Sequence, residues 1–379
     1  GSGVVTGVST GTPDISYTLT TGCSVMTPVT VNTLPAGISG SSAICTGSCS
    51  TYTDATPSGM WSSSNPAVAT VGSTSGTLCG VAAGVINITY YMPTGCYTTK
   101  AVTVNSVPPA ITGAMAVCVG GTTTLSNTVT GGSWSSSNPG IASIVSGTGS
   151  VMALSAGVVT ITYTVTGGCT ATASFTVTAV PSAIAGATTV CAGQTTTLTD
   201  ATPSGTWSAS GAAVVGSSTG LVYGASAGAA TITYTITGGC YSVYGITVNP
   251  LPAAITGTAS VCVGQTTLLS DATTGGTWSS SNTLLATVTS GTVTGTGAGT
   301  PTITYTLPTG CVITRQVTVN ALPLAITGIT TVCEGQTVTL ADASTGGTWT
   351  SGSTTTAVVG STTGVVTGML AGTTSIGYT

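Results

Sequence analysis

Residues 61–90 have the sequence WSSSNPAVATVGSTSGTLCGVAAGVINITY, and a similar stretch returns four more times along the 379-residue chain. A tryptophan begins each stretch: Trp61, Trp134, Trp207, Trp278 and Trp349. A tyrosine ends each stretch: Tyr90, Tyr163, Tyr234, Tyr305 and Tyr378. Because self-similarity at a nearly constant period marks a repeat architecture, we predict five copies of a module of about 70 residues.

The chain is almost without charge, with 2 Lys+Arg, 6 Asp+Glu and no His. So few cations exclude nucleic-acid binding by phosphate neutralisation. No segment approaches the roughly 20 apolar residues of a spanning helix, so we predict no membrane span. A surface with so little charge is poorly defended against self-association. We therefore expect copies of the chain itself, in a filament or bundle, as the partner.

Residues 251–320 show the strand pattern of one module. Runs of four to nine residues alternate between apolar and polar, as in Ile303-Thr-Tyr305-Thr-Leu307, and Gly, Pro, Asn and Asp separate them. We expect the following strands: 254–263, 265–270, one from 277, 285–288, 293–295, 303–307 and 311–319. Such a pattern predicts an all-β fold, a tandem array of immunoglobulin-like antiparallel β-sandwich modules.

Leu-Pro or Val-Pro pairs, such as Leu251-Pro252, predict a short stiff linker between modules. The expected organisation begins with a leading segment, 1–32, which is the rear part of a module. Modules one to five follow at 33–106, 107–179, 180–249, 250–320 and 321–379, and the fifth lacks its last strand. A module this small is near the lower limit for burying a sufficient core, so covalent staples or neighbour contacts are expected.

The segments Trp61–Val71, Gly76-Thr-Leu and Ala83–Tyr90 resemble group 2 bacterial immunoglobulin-like domains, the invasin/intimin type. The pattern returns in the other modules, and Gly168–Val177 also resembles repeats of large surface adhesins of gliding Bacteroidota. The resemblance implies the stalk of a cell-surface adhesin, or an appendage of a secreted enzyme.

Ten of the twelve cysteines occupy two repeat positions. The front position precedes the second strand of each module: Cys45, Cys118, Cys191, Cys262 and Cys333. The rear position opens the last strand: Cys23, Cys96, Cys169, Cys240 and Cys311. Only Cys45 and Cys49 approach zinc-ligand spacing, so we expect disulfides and a secreted, extracellular or cell-surface location.

Three pairings of these ten cysteines stay open. The first lies within a module, such as Cys118–Cys169. Parallel first and last strands would, however, place these positions about 25 Å apart, against a limit of about 7 Å. The second joins successive modules: Cys45–Cys169, Cys118–Cys240 and Cys191–Cys311. The third joins a rear cysteine to the front cysteine that follows it along the chain, such as Cys169–Cys191. The two extra cysteines, Cys49 and Cys79, are expected to form a cross-strand bond on the outer face of a sheet.

Catalytic chemistry is not expected, because the chain has no His and its carboxylates lie in separate modules. Asp54, Asp200, Asp271 and Asp342 share one repeat position, where a turn cap is favoured over a calcium site. We predict no metal and no cofactor. The tryptophans, with Tyr90, Tyr163, Tyr234 and Tyr305, are expected in the core, against the alternative of a sugar-stacking platform.

The sequence favours a non-enzymatic structural protein, a rod-like stalk or extracellular filament of a bacterial surface adhesin. One alternative is a carbohydrate- or receptor-binding array that contacts a host, substrate or glycan surface. Another is a filament subunit that assembles by donating the strand 23–31 to the incomplete module five of another subunit. The simpler explanation of the incomplete modules is a window on a longer protein.

Overall fold

The computed structural model describes residues 3–379, so Gly1 and Ser2 of the predicted leading segment lie outside the described residues. Within that range the chain forms 37 strands and no helix. Consequently, no described helix has the length and apolarity that crossing a membrane requires.

The strands follow the repeat. The leading segment and module one contain β1 (Asp14–Thr18), β2 (Ser24–Pro28), β3 (Ala43–Cys45), β4 (Cys49–Thr51), β5 (Met60–Ser63), β6 (Ala69–Val71), β7 (Thr77–Gly80), β8 (Gly84–Tyr91) and β9 (Tyr97–Asn105). Module two contains β10 (Ala116–Cys118), β11 (Thr122–Thr124), β12 (Ser133–Ser136), β13 (Ala142–Ile144), β14 (Ser150–Ala153), β15 (Gly157–Thr164) and β16 (Thr170–Thr178). Module three contains β17 (Thr189–Cys191), β18 (Thr195–Thr197), β19 (Thr206–Gly211), β20 (Ala213–Val215), β21 (Leu221–Gly224), β22 (Gly228–Thr235) and β23 (Tyr241–Asn249).

Modules four and five continue the series. Module four contains β24 (Thr256–Gly257), β25 (Ser260–Cys262), β26 (Thr266–Ser270), β27 (Thr277–Ser280), β28 (Ala286–Thr289), β29 (Thr292–Gly295), β30 (Thr302–Thr306), β31 (Val312–Gln316) and β32 (Thr318–Asn320). Module five contains β33 (Thr337–Thr339), β34 (Trp349–Ser351), β35 (Ala357–Val359), β36 (Val365–Gly368) and β37 (Ile376–Tyr378).

Module two shows the topology most clearly. One sheet has the order β10-β16-β15-β12, and the other has the order β11-β14-β13. The first and last strands, β10 and β16, run parallel, whereas the other described pairs of the module are antiparallel. Seven strands in two sheets with this order form an immunoglobulin-like sandwich, which confirms the predicted fold class.

The core lies between the two sheets. Along β15, Val159, Ile161 and Tyr163 are buried, and the residues between them are exposed or half-buried. Phe175 and Val177 of β16 are buried in the same cluster. This alternation follows from the period of two along a strand, which places every second side chain on the core face.

The first strand of module four differs from the prediction. We expected one strand over 254–263, but the structure has two short ones, β24 and β25. β24 pairs antiparallel with β26, and β25 pairs parallel with β32. Gly257, with φ +110°, ends β24 and lets the backbone turn, so that the chain passes from one sheet to the other.

The described contacts divide the chain into two compact units. The first contains the residues up to 182 with 202–205 and 235–242, and the second contains 183–201, 206–234 and 243–379. The first unit includes the sandwiches of modules one and two, and the second includes the sheets of modules four and five. The division passes through residues 180–249, so the module boundaries remain a prediction.

Candidate functional site: disulfides that join successive modules

Cysteines at the front position lie beside the end of the last strand of the same module. In module one, β3 pairs parallel with β9 and places Cys45 opposite Asn105, the final residue of β9. In module two, Cys118 lies opposite Thr178 in the same way. In module four, Cys262 lies opposite Asn320. The parallel pairing of first and last strands therefore puts these front cysteines at the end of the sandwich where the chain leaves.

Cysteines at the rear position are placed by a tight turn before the last strand. In module two, Gly168 N donates to Val165 O at 3.0 Å and Val165 N donates to Cys169 O at 2.9 Å. Gly167 and Gly168 have φ values of +97° and +84°, which favour glycine. A Cβ on Gly167 would lie 2.3 Å from Nδ2 of Asn105 in the preceding module. The positive φ values therefore favour glycine at both positions of this turn, and a side chain on Gly167 would require the Asn105 amide to move.

Three disulfides join the front cysteine of one module to the rear cysteine of the next. They are Cys45–Cys169, Cys118–Cys240 and Cys191–Cys311, with Cα–Cα distances of 5.7, 5.7 and 5.6 Å. Their sequence separations are 124, 122 and 120 residues. Of the three pairings that the sequence left open, the structure has the one between successive modules. Within residues 3–379 it has neither the bonds proposed within a module nor those from a rear cysteine to the front cysteine that follows it.

In each of these bonds the rear cysteine is shielded from solvent. Cys169, Cys240 and Cys311 are each 1% exposed. Sγ of Cys169 lies 3.8 Å from the carbonyl oxygen of Asn105, and Sγ of Cys240 lies 4.0 Å from that of Thr178. Cys169 and Cys240 are therefore packed against the last strand of the preceding module. Each disulfide lies at this contact between the two modules.

The fourth disulfide lies within module one. Cys49 of β4 and Cys79 of β7 face each other in the antiparallel register, with a Cα–Cα distance of 4.1 Å. Their neighbour Leu78 is fully buried, so the two cysteines lie on the opposite, outer face of the sheet. This is the cross-strand bond that we expected.

The tryptophans pack against the tyrosines in every module. The Trp–Tyr ring centroids are 4.5–4.9 Å apart in the five pairs. The hydroxyl of Tyr163 donates to Val129 O at 2.6 Å and accepts from Gly132 N at 2.9 Å. Tyr90, Tyr234 and Tyr305 are each 5% exposed, and four of the five tryptophans are buried. These rings fill the space between the sheets.

Trp278 is the exception to the predicted core, because it is only half-buried. In module two, the five-residue turn 145–149 separates β13 from β14, whereas the two-residue turn 290–291 separates β28 from β29. Trp134 N donates to Ser146 O in the longer turn. The shorter turn lies farther from its ring: a Cβ on Gly291 would be 3.6 Å from Trp278, against 3.0 Å between a Cβ on Gly149 and Trp134. A shallow cavity of about 490 Å³ borders Trp278 and Tyr305.

The repeated aspartates cap turns. Oδ1 of Asp271 accepts from Thr273 N at 2.7 Å, and Oδ1 of Asp54 accepts from Thr56 N at 2.8 Å. The other carboxylate oxygen of Asp54, Asp271 and Asp342 is buried and has no hydrogen-bond partner. Among residues 3–379 no three potential metal ligands of the His, Cys, Asp or Glu type come together.

The cations Lys100 and Arg315 share one repeat position on the last strand. Lys100 Nζ donates to Ile38 O at 3.4 Å, and the Arg315 guanidinium donates to Ile255 O and, at 2.8 Å, to Gly257 O. Tyr244, at the same position in module three, donates to Gly186 O at 2.8 Å. These side chains therefore hold the backbone at the start of their own module, at or before its first strand.

No known protein family matches the chain, and no curated protein sequence matches it. Similar solved structures include Drosophila N-cadherin EC1-4, at 12% identity over 71% of this chain and 93% of that one, with a TM-score of 0.18. They also include the eight N-terminal Ig domains of Down Syndrome Cell Adhesion Molecule, at 13% identity over 92% and 68%, with a TM-score of 0.20. A third is the C-terminal fragment of intimin in complex with its receptor's intimin-binding domain, at 18% identity over 32% and 53%, with a TM-score of 0.23. These low scores carry no argument, and the immunoglobulin-like fold follows from the sheets described above.

Proposed function

We propose that the chain is a non-enzymatic, tension-bearing stalk or filament segment of a bacterial surface adhesin, located outside the cell. Disulfides persist in oxidising extracellular settings, which supports the location. The resemblance of residues 61–90 to group 2 bacterial immunoglobulin-like domains supports the adhesin class, with Bacteroidota adhesins as relatives. The predicted modules 33–106 to 321–379 are the structural units of this stalk.

The covalent route through the disulfides is the observation that carries the proposal. A pulling force that enters at Cys45 crosses to Cys169, follows the backbone along segment 169–191, and crosses from Cys191 to Cys311. All other residues between 45 and 311 lie outside this shortest route. When the bonds are closed, the load on modules two and three therefore passes only through the segment that contains β16 and β17, and their other strands lie outside the route.

The expected gain in resistance to stretching is large. Segment 169–191 extends to roughly 75 Å at about 3.4 Å per residue, whereas the whole segment 45–311 would extend to roughly 900 Å. A ligand-bearing tip held by such a stalk keeps its distance from the cell under load.

Single-molecule force spectroscopy on the oxidised and the reduced chain tests the proposal. We expect the reduced chain to release roughly 800 Å more contour length than the oxidised chain, in steps that correspond to single modules. Equal contour lengths in the two states would contradict a role for the disulfides in bearing tension.

Two variants sharpen this test, because they differ in whether the shortest route changes. In Cys45→Ser/Cys169→Ser the route must follow the backbone from Cys45 to Cys118 and again from Cys240 back to Cys191. The oxidised variant should therefore gain roughly 340 Å over the oxidised wild type. In Cys118→Ser/Cys240→Ser the route through segment 169–191 remains, so its contour length should equal that of the wild type.

The burial of four tryptophans supports a structural stalk over an array of sugar-binding modules, which would display aromatic rings on the surface of every module. Trp278 is half-buried in one module alone.

A further inference from the structure

The tryptophan of module four lacks a backbone hydrogen bond that the other four tryptophans form. In each of those four modules the tryptophan N–H donates, at 2.9 Å, to a serine carbonyl oxygen in the five-residue turn 72–76, 145–149, 216–220 or 360–364. The corresponding turn of module four contains only Ser290 and Gly291, and within residues 3–379 the Trp278 N–H has no such acceptor. A backbone donor beside the indole ring is therefore left for solvent or a ligand to pair.

The short turn also leaves part of the Trp278 ring uncovered. In the four longer turns, a Cβ on the last glycine would lie 3.0–3.2 Å from Cε2 of the tryptophan, whereas a Cβ on Gly291 would lie 3.6 Å from Cε2 of Trp278. The other four tryptophans are 6–8% exposed, and Trp278 is half-buried. The cavity of about 490 Å³ is bounded by this ring, by Thr277 and by residues 288–290 beside the turn. It is therefore a consequence of the shortened turn in module four.

The core of module four holds the Trp278 ring in place. The ring centroids of Trp278 and Tyr305 are 4.8 Å apart, and Trp278 packs against the buried cluster of this module. The hydroxyl of Tyr305 donates to Thr273 O at 2.7 Å and accepts from Gly276 N at 2.8 Å, so the tyrosine itself is fixed. Because the indole ring is already ordered, a ligand that packs on its exposed part does not have to immobilise it.

The chemistry of the cavity favours a neutral ligand with both an apolar face and hydroxyl groups. None of the seven residues that line it carries a formal charge. Thr277, Thr289 and Ser290 are exposed, and their hydroxyls can donate and accept hydrogen bonds. The flat indole ring offers an apolar surface, and the cavity volume lies within the range of about 300–1,000 Å³ of small-molecule sites. A pyranose ring has C–H groups on its face and hydroxyls around its rim, so it matches these groups.

We propose that the cavity at Trp278 binds one sugar unit of a neutral glycan. The exposed part of the indole ring packs against the C–H face of the sugar, and the Trp278 N–H donates to one of its hydroxyls. The site goes beyond the proposed stalk function, which requires no ligand along the stalk, and it gives module four a lateral contact with a glycan surface. Because the other four tryptophans are buried and their N–H groups are paired, we expect one bound sugar per chain.

Saturation-transfer NMR on the full-length chain tests the site directly. The probes are the methyl glycosides of glucose, galactose, mannose and N-acetylglucosamine, with N-acetylprolinamide as a probe for a peptide ligand. We expect saturation transfer to the ring C–H protons of at least one glycoside, and a titration followed by tryptophan fluorescence should give one site per chain. Saturation of none of the glycosides would overturn the proposal, as would saturation of N-acetylprolinamide alone.

A turn graft in module four tests whether the short turn creates the site. Residues 289–291 are replaced by Val-Ser-Gly-Thr-Gly, the sequence of residues 145–149, which restores the serine carbonyl acceptor and the longer turn. The variant should fold, because four modules already have a turn of this length, and it should lose the saturation transfer. A grafted chain that binds the sugar as well as the wild type would overturn the proposal, since the site would then lie elsewhere.

The reverse graft is the matched control. Replacing residues 145–149 of module two by Thr-Ser-Gly, the sequence of residues 289–291, should uncover Trp134 and free its N–H. The number of bound sugars should then rise from one to two per chain. A folded reverse graft that still binds one sugar would overturn the assignment of the site to the turn.

A pair of tryptophan variants separates the ring from the fold. Trp278→Leu should weaken sugar binding by at least about tenfold, because the stacking surface is lost. Trp207→Leu removes a buried ring of the same type and should leave the affinity unchanged. Equal affinities in the two variants would overturn the role of Trp278. The force measurement depends on the disulfides, so a failure of sugar binding leaves the stalk function in place, and a failure of the force response leaves the sugar site in place.

Discussion

At the scale of single residues, the turn-capping position shows the effect of one atom. Module two has Asn127 where three modules have aspartates with an unpaired buried oxygen. Oδ1 of Asn127 accepts from Val129 N at 3.0 Å, and its Nδ2 donates to Pro109 O at 2.6 Å. Both polar atoms of the asparagine side chain thus have a hydrogen-bond partner. An aspartate carboxylate has no proton to donate, so it cannot form the second of these bonds.

We therefore expect Asp271→Asn to raise the free energy of unfolding by about 1 kcal/mol, because a buried acceptor without a partner is replaced by a donor. The reverse substitution, Asn127→Asp, should lower it by about 1–3 kcal/mol. Urea unfolding of the full chain at pH 7 measures both. A loss of stability in Asp271→Asn would show that the second oxygen has a partner in solution.

At the scale of elements, the turn between β13 and β14, or between their counterparts, determines how well the tryptophan is covered. In module two this turn contains Gly149, with φ +73°, and a Cβ there would lie 2.4 Å from Leu125 O and 3.0 Å from the Trp134 ring. Module four instead has the two-residue turn Ser290-Gly291, with both φ values positive. Such a turn matches the twist of a hairpin but covers less of Trp278.

Gly149→Ala is expected to lower the free energy of unfolding by at least about 2 kcal/mol, since it combines a left-handed backbone with a backbone clash. Gly147→Ala, two residues earlier in the same turn, meets no atom within 4 Å and should be nearly neutral. Thermal unfolding followed by tryptophan fluorescence distinguishes the two. Equal effects would mean that the turn rearranges freely around Trp134.

At the scale of the whole molecule, the disulfides couple modules that are small on their own. Cys118–Cys240 closes a separation of 122 residues across two modules, whereas Cys49–Cys79 closes 30 residues within one. In the chain-entropy account the longer loop stabilises more, by about 1 kcal/mol between these two lengths.

Differential scanning calorimetry should therefore show different unfolding transitions for two variants, each of which lacks one disulfide. Cys118→Ser/Cys240→Ser should lower the transition of modules two and three and separate them into independent transitions. Cys49→Ser/Cys79→Ser should lower only the transition of module one. A single unchanged transition in the first variant would show that the modules are coupled by their non-covalent contacts alone.

The sequence by itself determined the repeat, the all-β fold, most of the core and the Cys49–Cys79 bond. These depend on local quantities, namely the repeat period, the alternation of side chains along a strand, and the registers of neighbouring strands. Trp278 was predicted as core like the other four, because the effect of a shorter turn on its exposure appears only when the ring is placed beneath that turn.

Only the tertiary structure decided which front cysteine meets which rear cysteine. That choice depends on where the end of one sandwich lies relative to the next, and sequence spacing is compatible with three pairings. Because the first and last strands of a module pair in parallel, the front cysteine lies at the same end of the sandwich as the final residue of the last strand. The rear turn of the next module packs against that residue, so the two sulfur atoms meet across the junction.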